Sequence, residues 1–226
     1  MSERRFIHRA IVALSFSAVV VILAGCETNG GRQAKVARKA DTSLEDTRQE
    51  LVKTDQQVNR ALAAMDQLES QPRDLRHAYR AFTSEVDETA KQSKNAREQA
   101  EAMREQWREY ITDWERSIDE IRSPEVRTRA VDRRQAVREE YNQIRDVARE
   151  LEAAYEPFLR DLRDIERTLS LDLTNQGVAT ARPAFEAARQ NGEQLRQRID
   201  EFIAQLDTTV AQRTKQRTDT QQATEY

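Results

Sequence analysis

The chain has 226 residues, 37 Lys and Arg against 40 Asp and Glu, and only five Gly and four Pro. Charged residues at 34% and apolar ones at 38% suit long helices that bury a narrow stripe, and they exclude a thick globular core. The formal net charge of −3 lacks the basic excess that wholesale nucleic-acid binding needs, so no nucleic-acid partner is expected.

The chain opens with Arg4, Arg5 and Arg9, followed by an apolar run from Ala10 to Leu23. That run is too short to cross a bilayer, which takes about 20 residues. It has the length and flanks of a secretory signal peptide. Leu23-Ala24-Gly25-Cys26 then resembles a bacterial lipobox: a branched residue, two small ones and a cysteine. Small residues admit the backbone to the peptidase, and the thiol is alkylated before cleavage. Residues 1–25 are therefore predicted to be removed between Gly25 and Cys26. Cys26 would carry a diacylglycerol and an N-acyl chain, and no other cofactor is expected. One acyl chain anchors weakly, whereas two or more hold a protein at a membrane. Cys26 is also the sole cysteine, so no internal disulfide can form. The expected place is the cell envelope, on the periplasmic side of either membrane.

Residues 26–34, with Asn29-Gly30-Gly31, read as the acylated cysteine and a flexible tether. Residues 35–211 read as one all-α domain, because apolar residues recur three and four apart. Leu44, Leu51, Val58 and Met65 mark a helix over about 35–70. Leu75, Phe82, Val86, Met103, Trp107 and Trp114 mark a second over about 73–122, with a small, polar middle at Thr89, Ser93 and Ala96 that predicts loose packing. Val137, Ile144, Leu151, Phe158 and Ile165 mark a third over about 124–173. Phe185, Leu195, Ile199 and Leu206 mark a fourth over about 178–211. Residues 212–226 read as a disordered polar tail.

The breaks are chemical. Pro72 separates the first two helices. Ser123-Pro124-Glu125 offers an N-cap, a first-turn proline and an acid at the positive helix end. Thr174-Asn175-Gln176-Gly177 reads as a turn, with Pro183 in the first turn of the fourth helix. The spacing runs through Pro157 unchanged, which predicts a kink rather than an end. Two long central helices and two shorter outer ones predict an elongated antiparallel helical bundle or coiled coil, up-down-up-down. A two-helix extension would surround the Ser123-Pro124 turn.

No catalytic set stands out. After Cys26 the only histidine is His77, and there is no phosphate-binding glycine loop, so no metal site and no enzyme are expected. The candidate contact surface is the extension. Trp107, Tyr110 and Trp114 would lie where the outer helices run out, and exposed apolar patches mark partners or membranes. Beside them lies a basic segment that includes Arg127, Arg129, Arg133 and Arg134. The expected function is a membrane-anchored periplasmic lipoprotein, a non-enzymatic structural or interaction module that meets a protein partner or another copy through its helices. The alternative is a peripheral lipid- or envelope-polymer-binding module that uses this basic, aromatic tip.

Trp114-Glu115, Tyr141 with Ile144, Glu156-Pro157-Phe158-Leu159 and Asp164, then Leu169 and Leu173, carry a family resemblance over about residues 107–181. They resemble the signature of a family of bacterial lipoproteins, domain of unknown function 2959. The resemblance implies a periplasmic coiled-coil lipoprotein and brings no activity with it.

Overall fold

A computed structural model describes the backbone of residues 27–70 and 74–224, and the side chains of residues 31–70 and 74–215. The described residues form four helices: α1 (Glu27–Ser70), α2 (Leu75–Asp119), α3 (Pro124–Leu171) and α4 (Asn175–Thr224). Each helix packs against two others: α1 on α2 and α4, and α3 on α2 and α4. Among the described residues the diagonal pairs make no close backbone approach, so the helices form a ring of four around one seam that only side chains cross. Contacts such as Gln57 to Thr89, Tyr155 to Thr89, Asn191 to Asp161 and Arg213 to Asp41 run antiparallel in every pair. The architecture is the predicted up-down-up-down bundle.

The seam follows the 3–4 spacing closely. Leu44, Thr47, Leu51, Thr54, Val58, Ala61, Met65 and Leu68 are all buried along α1. Phe82, Phe158, Phe185 and Phe202 bring the largest side chains into the same core. Midway it turns polar. Gln57 Nε2 donates to the Glu85 carboxylate at 2.8 Å and to Thr89 Oγ1 at 3.2 Å. Gln92 Nε2 donates to Glu50 at 2.8 Å, and the Tyr155 hydroxyl donates to the Thr89 carbonyl at 3.1 Å. Gln57, Thr89, Gln92 and Tyr155 each have a partner here, which offsets the penalty of burying them.

The caps behave as their chemistry requires. Asp74 accepts from the His77 backbone N–H at the start of α2, leaving the His77 side chain exposed. Ser123 caps α3 with Pro124 in the first turn, and Glu125 stands at its positive end. α3 is continuous through Pro157.

Several boundaries differ from the spacing. α1 is helical from Glu27, over the residues predicted as a tether, because the buried stripe extends back from Leu44 to Ala40 and Val36. α4 runs to Thr224 instead of stopping at 211, since Thr209 continues its buried stripe beyond Leu206. Both outer helices therefore reach toward the Ser123-Pro124 turn, and the two-helix extension is much shorter than predicted. Gln33 donates to Ser117, and Arg213 meets Glu140. α4 also begins earlier, at Asn175. Thr174 Oγ1 accepts from the Gly177 N–H at 3.2 Å, making Asn175 to Gly177 the first helical turn rather than a loop. Pro183 consequently sits inside α4, beyond its first turn. Pro72, Gly25 and Cys26 lie outside the described residues.

Candidate functional site

The turn between α2 and α3, the first turns of α1 and the last turns of α4 share one pole of the bundle. α2 brings Met103, Trp107, Tyr110, Trp114 and Ile118 to it at three- and four-residue intervals. Trp107 is wholly buried. Its ring stacks on Tyr141 of α3 at 5.3 Å between centroids and meets Tyr110 edge-on at 6.2 Å. Tyr110 in turn lies 5.5 Å from Trp114, tilted by 42°. Such offset and edge-on pairs add specific attraction to the area they bury.

Arg213 of α4 closes this cluster. Its guanidinium lies 4.3 Å over the Trp107 ring and 5.9 Å from Tyr110. It donates to Asp41 of α1 and to Glu140 of α3, both at 3.0 Å. One side chain thus touches all four helices, with only 11% of its surface exposed. Burial alone pulls the Arg213 pKa down; the hydrogen bonds and charges of Glu140 and Asp41 outweigh it and hold the pKa above the ordinary arginine value. The planar fork suits two carboxylates and an aromatic face at once, which a lysine cannot match. Trp107 Nε1 and Arg213 Nε are buried without partners, a sign that packing and charge fix this centre more than complete hydrogen bonding does.

The rest of the predicted contact set divides by role. Trp107 requires correction: its ring is enclosed by Arg213 and Tyr141, so it has no exposed face to offer. The outer helices reach further along α2 than their apolar stripes suggested, and they cover it. Tyr110 and Trp114 stay half-exposed and wall a groove of about 440 Å³ with Ala34, Ala37 and Asp113. Arg127 donates to the Asp119 and Ile121 carbonyls at 2.9 and 3.2 Å, capping the end of α2. Arg134 pairs with Glu115 at 3.2 Å and ties α3 to α2. Arg129 and Arg133 are exposed, as are Arg122 and Arg138. Among the described residues no group of His, Cys, Asp or Glu is placed to hold a metal ion, and no helix is long and apolar enough to cross a membrane.

Arg213 falls in the segment read as a polar tail. A signal for it exists in the sequence: Leu195, Ile199, Phe202, Leu206, Thr209 and Arg213 keep the alternation of four and three. Hydropathy hid it, because the last two are polar.

A family model described as Protein of unknown function (DUF2959) matches residues 34–215. The chain belongs to this family. The matched span of the DUF2959 domain takes in parts of all four helices and ends just after Arg213, so the whole four-helix centre of Asp41, Trp107, Glu140 and Arg213 lies inside it. It is wider than the resemblance over residues 107–181. No curated protein and no solved structure matches the chain.

Proposed function

We propose that this DUF2959 protein is a membrane-tethered, non-enzymatic module of the bacterial envelope. Acyl chains on Cys26 hold it, and its helix faces meet a protein partner on the periplasmic side. The basic leader, the short apolar run and the Leu-Ala-Gly-Cys sequence support the anchor. The observation that carries the reading is the position of the start of α1. Gln33 meets Ser117 and Arg32 pairs with Asp113 at 3.4 Å, so a lipid close before Glu27 would bring this pole toward the bilayer. The other pole, with the α1–α2 and α3–α4 joints, would then point away from it. Replacing Cys26 with Ser is expected to move the protein from the membrane fraction to the soluble one. Mass spectrometry of the native protein should find residues 1–25 absent and a diacylglyceryl cysteine first. Retention of the Cys26→Ser protein in the membrane would overturn the anchor.

A second reading is favoured by the exposed Arg122, Arg129, Arg133 and Arg138 at the anchor's pole: direct contact with anionic lipid. Each near-surface charge is worth roughly 1 kcal/mol at such a membrane. A non-acylated chain with these four changed to Gln should bind anionic vesicles at least tenfold more weakly. Arg127 and Arg134 are kept, since they hold the turn. Unchanged vesicle binding would sink this reading and leave the protein-partner one standing.

A further inference from the structure

We propose that the groove beside the start of α1 holds an acyl chain carried by Cys26, so that part of the anchor lies back against the bundle. This rests on the reading of Cys26 as the acylated first residue. The groove, of about 440 Å³, is walled by Gln33, Ala34 and Ala37 of α1 and by Tyr110, Asp113 and Trp114 of α2. Apart from Gln33, α1 offers only methyl groups there, against an indole and a phenol ring. Further along α1 the buried stripe carries Leu44, Leu51 and Met65 instead. The Tyr110 and Trp114 rings lie 5.5 Å apart, and both stay half-exposed. An apolar wall left open in this way marks a contact site.

The polar walls are already engaged with the protein itself. Gln33 donates to Ser117, whose hydroxyl donates to the Asp113 carbonyl at 2.9 Å. The Asp113 carboxylate pairs with Arg32 at 3.4 Å and is only 11% exposed. What these contacts leave for an occupant is Ala34, Ala37 and the two rings. Tyr110 and Trp114 each present an apolar body with one polar tip, the combination that suits a boundary between hydrocarbon and water.

The start of α1 decides which hydrocarbon this is. α1 is helical from Glu27, so no slack separates residue 26 from the bundle. Ala37 stands about 15 Å beyond Glu27 along the helix, within the length of a long acyl chain. The sequence also keeps register. Cys26, Gly30, Gln33, Ala37, Ala40 and Leu44 alternate four and three apart, which puts the cysteine on the heptad line of Gln33 and Ala40. A chain borne there meets the groove as an intramolecular partner, at the millimolar effective concentration of a short link. A bilayer interior is as apolar as the groove, so exchange between them is close to neutral in hydrophobic energy, and the short link with the ring contacts tips it toward the groove. With one chain seated and the others in the bilayer, the near end of the rod cannot swing freely on its anchor.

The test uses the natively acylated protein from cells fed a fatty acid that carries a diazirine. Irradiation of the isolated membranes bonds the chain to whatever lies beside it, and mass spectrometry of a tryptic digest identifies the joined pieces. The expected product is the Cys26 lipopeptide bonded to the peptide Glu109–Arg116, which holds Tyr110 and Trp114, in a species that migrates as a single chain. Ala37→Leu narrows the groove and should abolish this adduct while the protein stays in the membrane fraction. Should that variant fail to fold, Ala34→Leu, at an exposed position, serves the same purpose. Acylated protein that lacks the adduct overturns the proposal, whether its chain joins phospholipid or another protein instead. So does an adduct that Ala37→Leu leaves intact, or a groove peptide bonded to phospholipid alone. An unmodified Cys26 in the same digest is a separate result: it brings down the anchor itself, and this proposal with it.

Discussion

At the scale of single residues, two glycines separate fit from freedom. A β-carbon at Gly177 would lie 1.9 Å from the Asp172 carbonyl oxygen, which is backbone and cannot step aside. A β-carbon at Gly31 would meet nothing within 4 Å. Gly177→Ala should therefore destabilise the fold by about 2 kcal/mol or more. Gly31→Ala, inside α1, should stabilise it by about 0.5–1 kcal/mol, the usual helix-interior difference. Urea denaturation of the two variants checks both signs, and a neutral Gly31→Ala would return residues 27–34 to the tether that the sequence suggested. That residue-scale contrast also marks what the sequence could tell. Seam leucines and phenylalanines were legible because burial and hydropathy coincide. Arg213 was not, because its value comes from Asp41, Glu140 and Trp107, which lie at least 73 positions away along the chain.

The same limit appears at the scale of elements. Four helices, their order and the Ser123-Pro124 cap could be read from periodicity and cap chemistry. Their lengths could not, since α1 starts with only Val36 and Ala40 buried before Leu44, and α4 ends on Thr209 and the mostly buried Arg213. Contacts made far along the chain hold these segments: Gln33 with Ser117, Arg32 with Asp113, and Arg213 with Asp41 and Glu140. Arg213 is the clearest case, because it binds the last turns of α4 to the other three helices. Arg213→Met should cost about 3 kcal/mol, as expected when one partner of a buried ion pair is removed and the carboxylates of Asp41 and Glu140 stay behind. Tryptophan emission should shift to the red as Trp107 gains solvent. Arg213→Lys should recover little, because an ammonium cannot span both acids while lying flat on the indole. An emission spectrum unchanged by Arg213→Met would show that Trp107 is shielded without the guanidinium. The inter-helix pairs elsewhere, such as Arg196 with Asp55 at 3.0 Å, are more exposed and should matter less.

At the scale of the whole molecule, the tyrosines spread burial along the rod. Tyr79, Tyr110, Tyr141 and Tyr155 all have pKa values raised above the ordinary 10.0 by burial, Tyr155 most strongly. The unfolded chain releases these protons near that ordinary value, while the folded chain keeps them. Above it the unfolded state binds fewer protons, so stability falls as pH rises. The bundle should hold its melting temperature up to about pH 10 and lose it progressively beyond. Tyr155→Phe should make that loss shallower, once its missing hydrogen bond to Thr89 is subtracted from the neutral-pH value. Melting curves at successive alkaline pH values, with tyrosinate absorbance followed in parallel, provide the measurement. A slope unaffected by Tyr155→Phe would place the alkaline sensitivity in other groups.

The ring of four has one more consequence. Since α1 starts and α4 finishes at the same pole, a short peptide could stitch Thr224 to Glu27, and the loop could be cut afresh at residues 172–174 on the opposite pole. A circular permutant made in this way would keep every neighbouring pair of rods while moving its termini to the far end. In such a permutant, the direction in which an anchor pulls becomes a design choice independent of the fold.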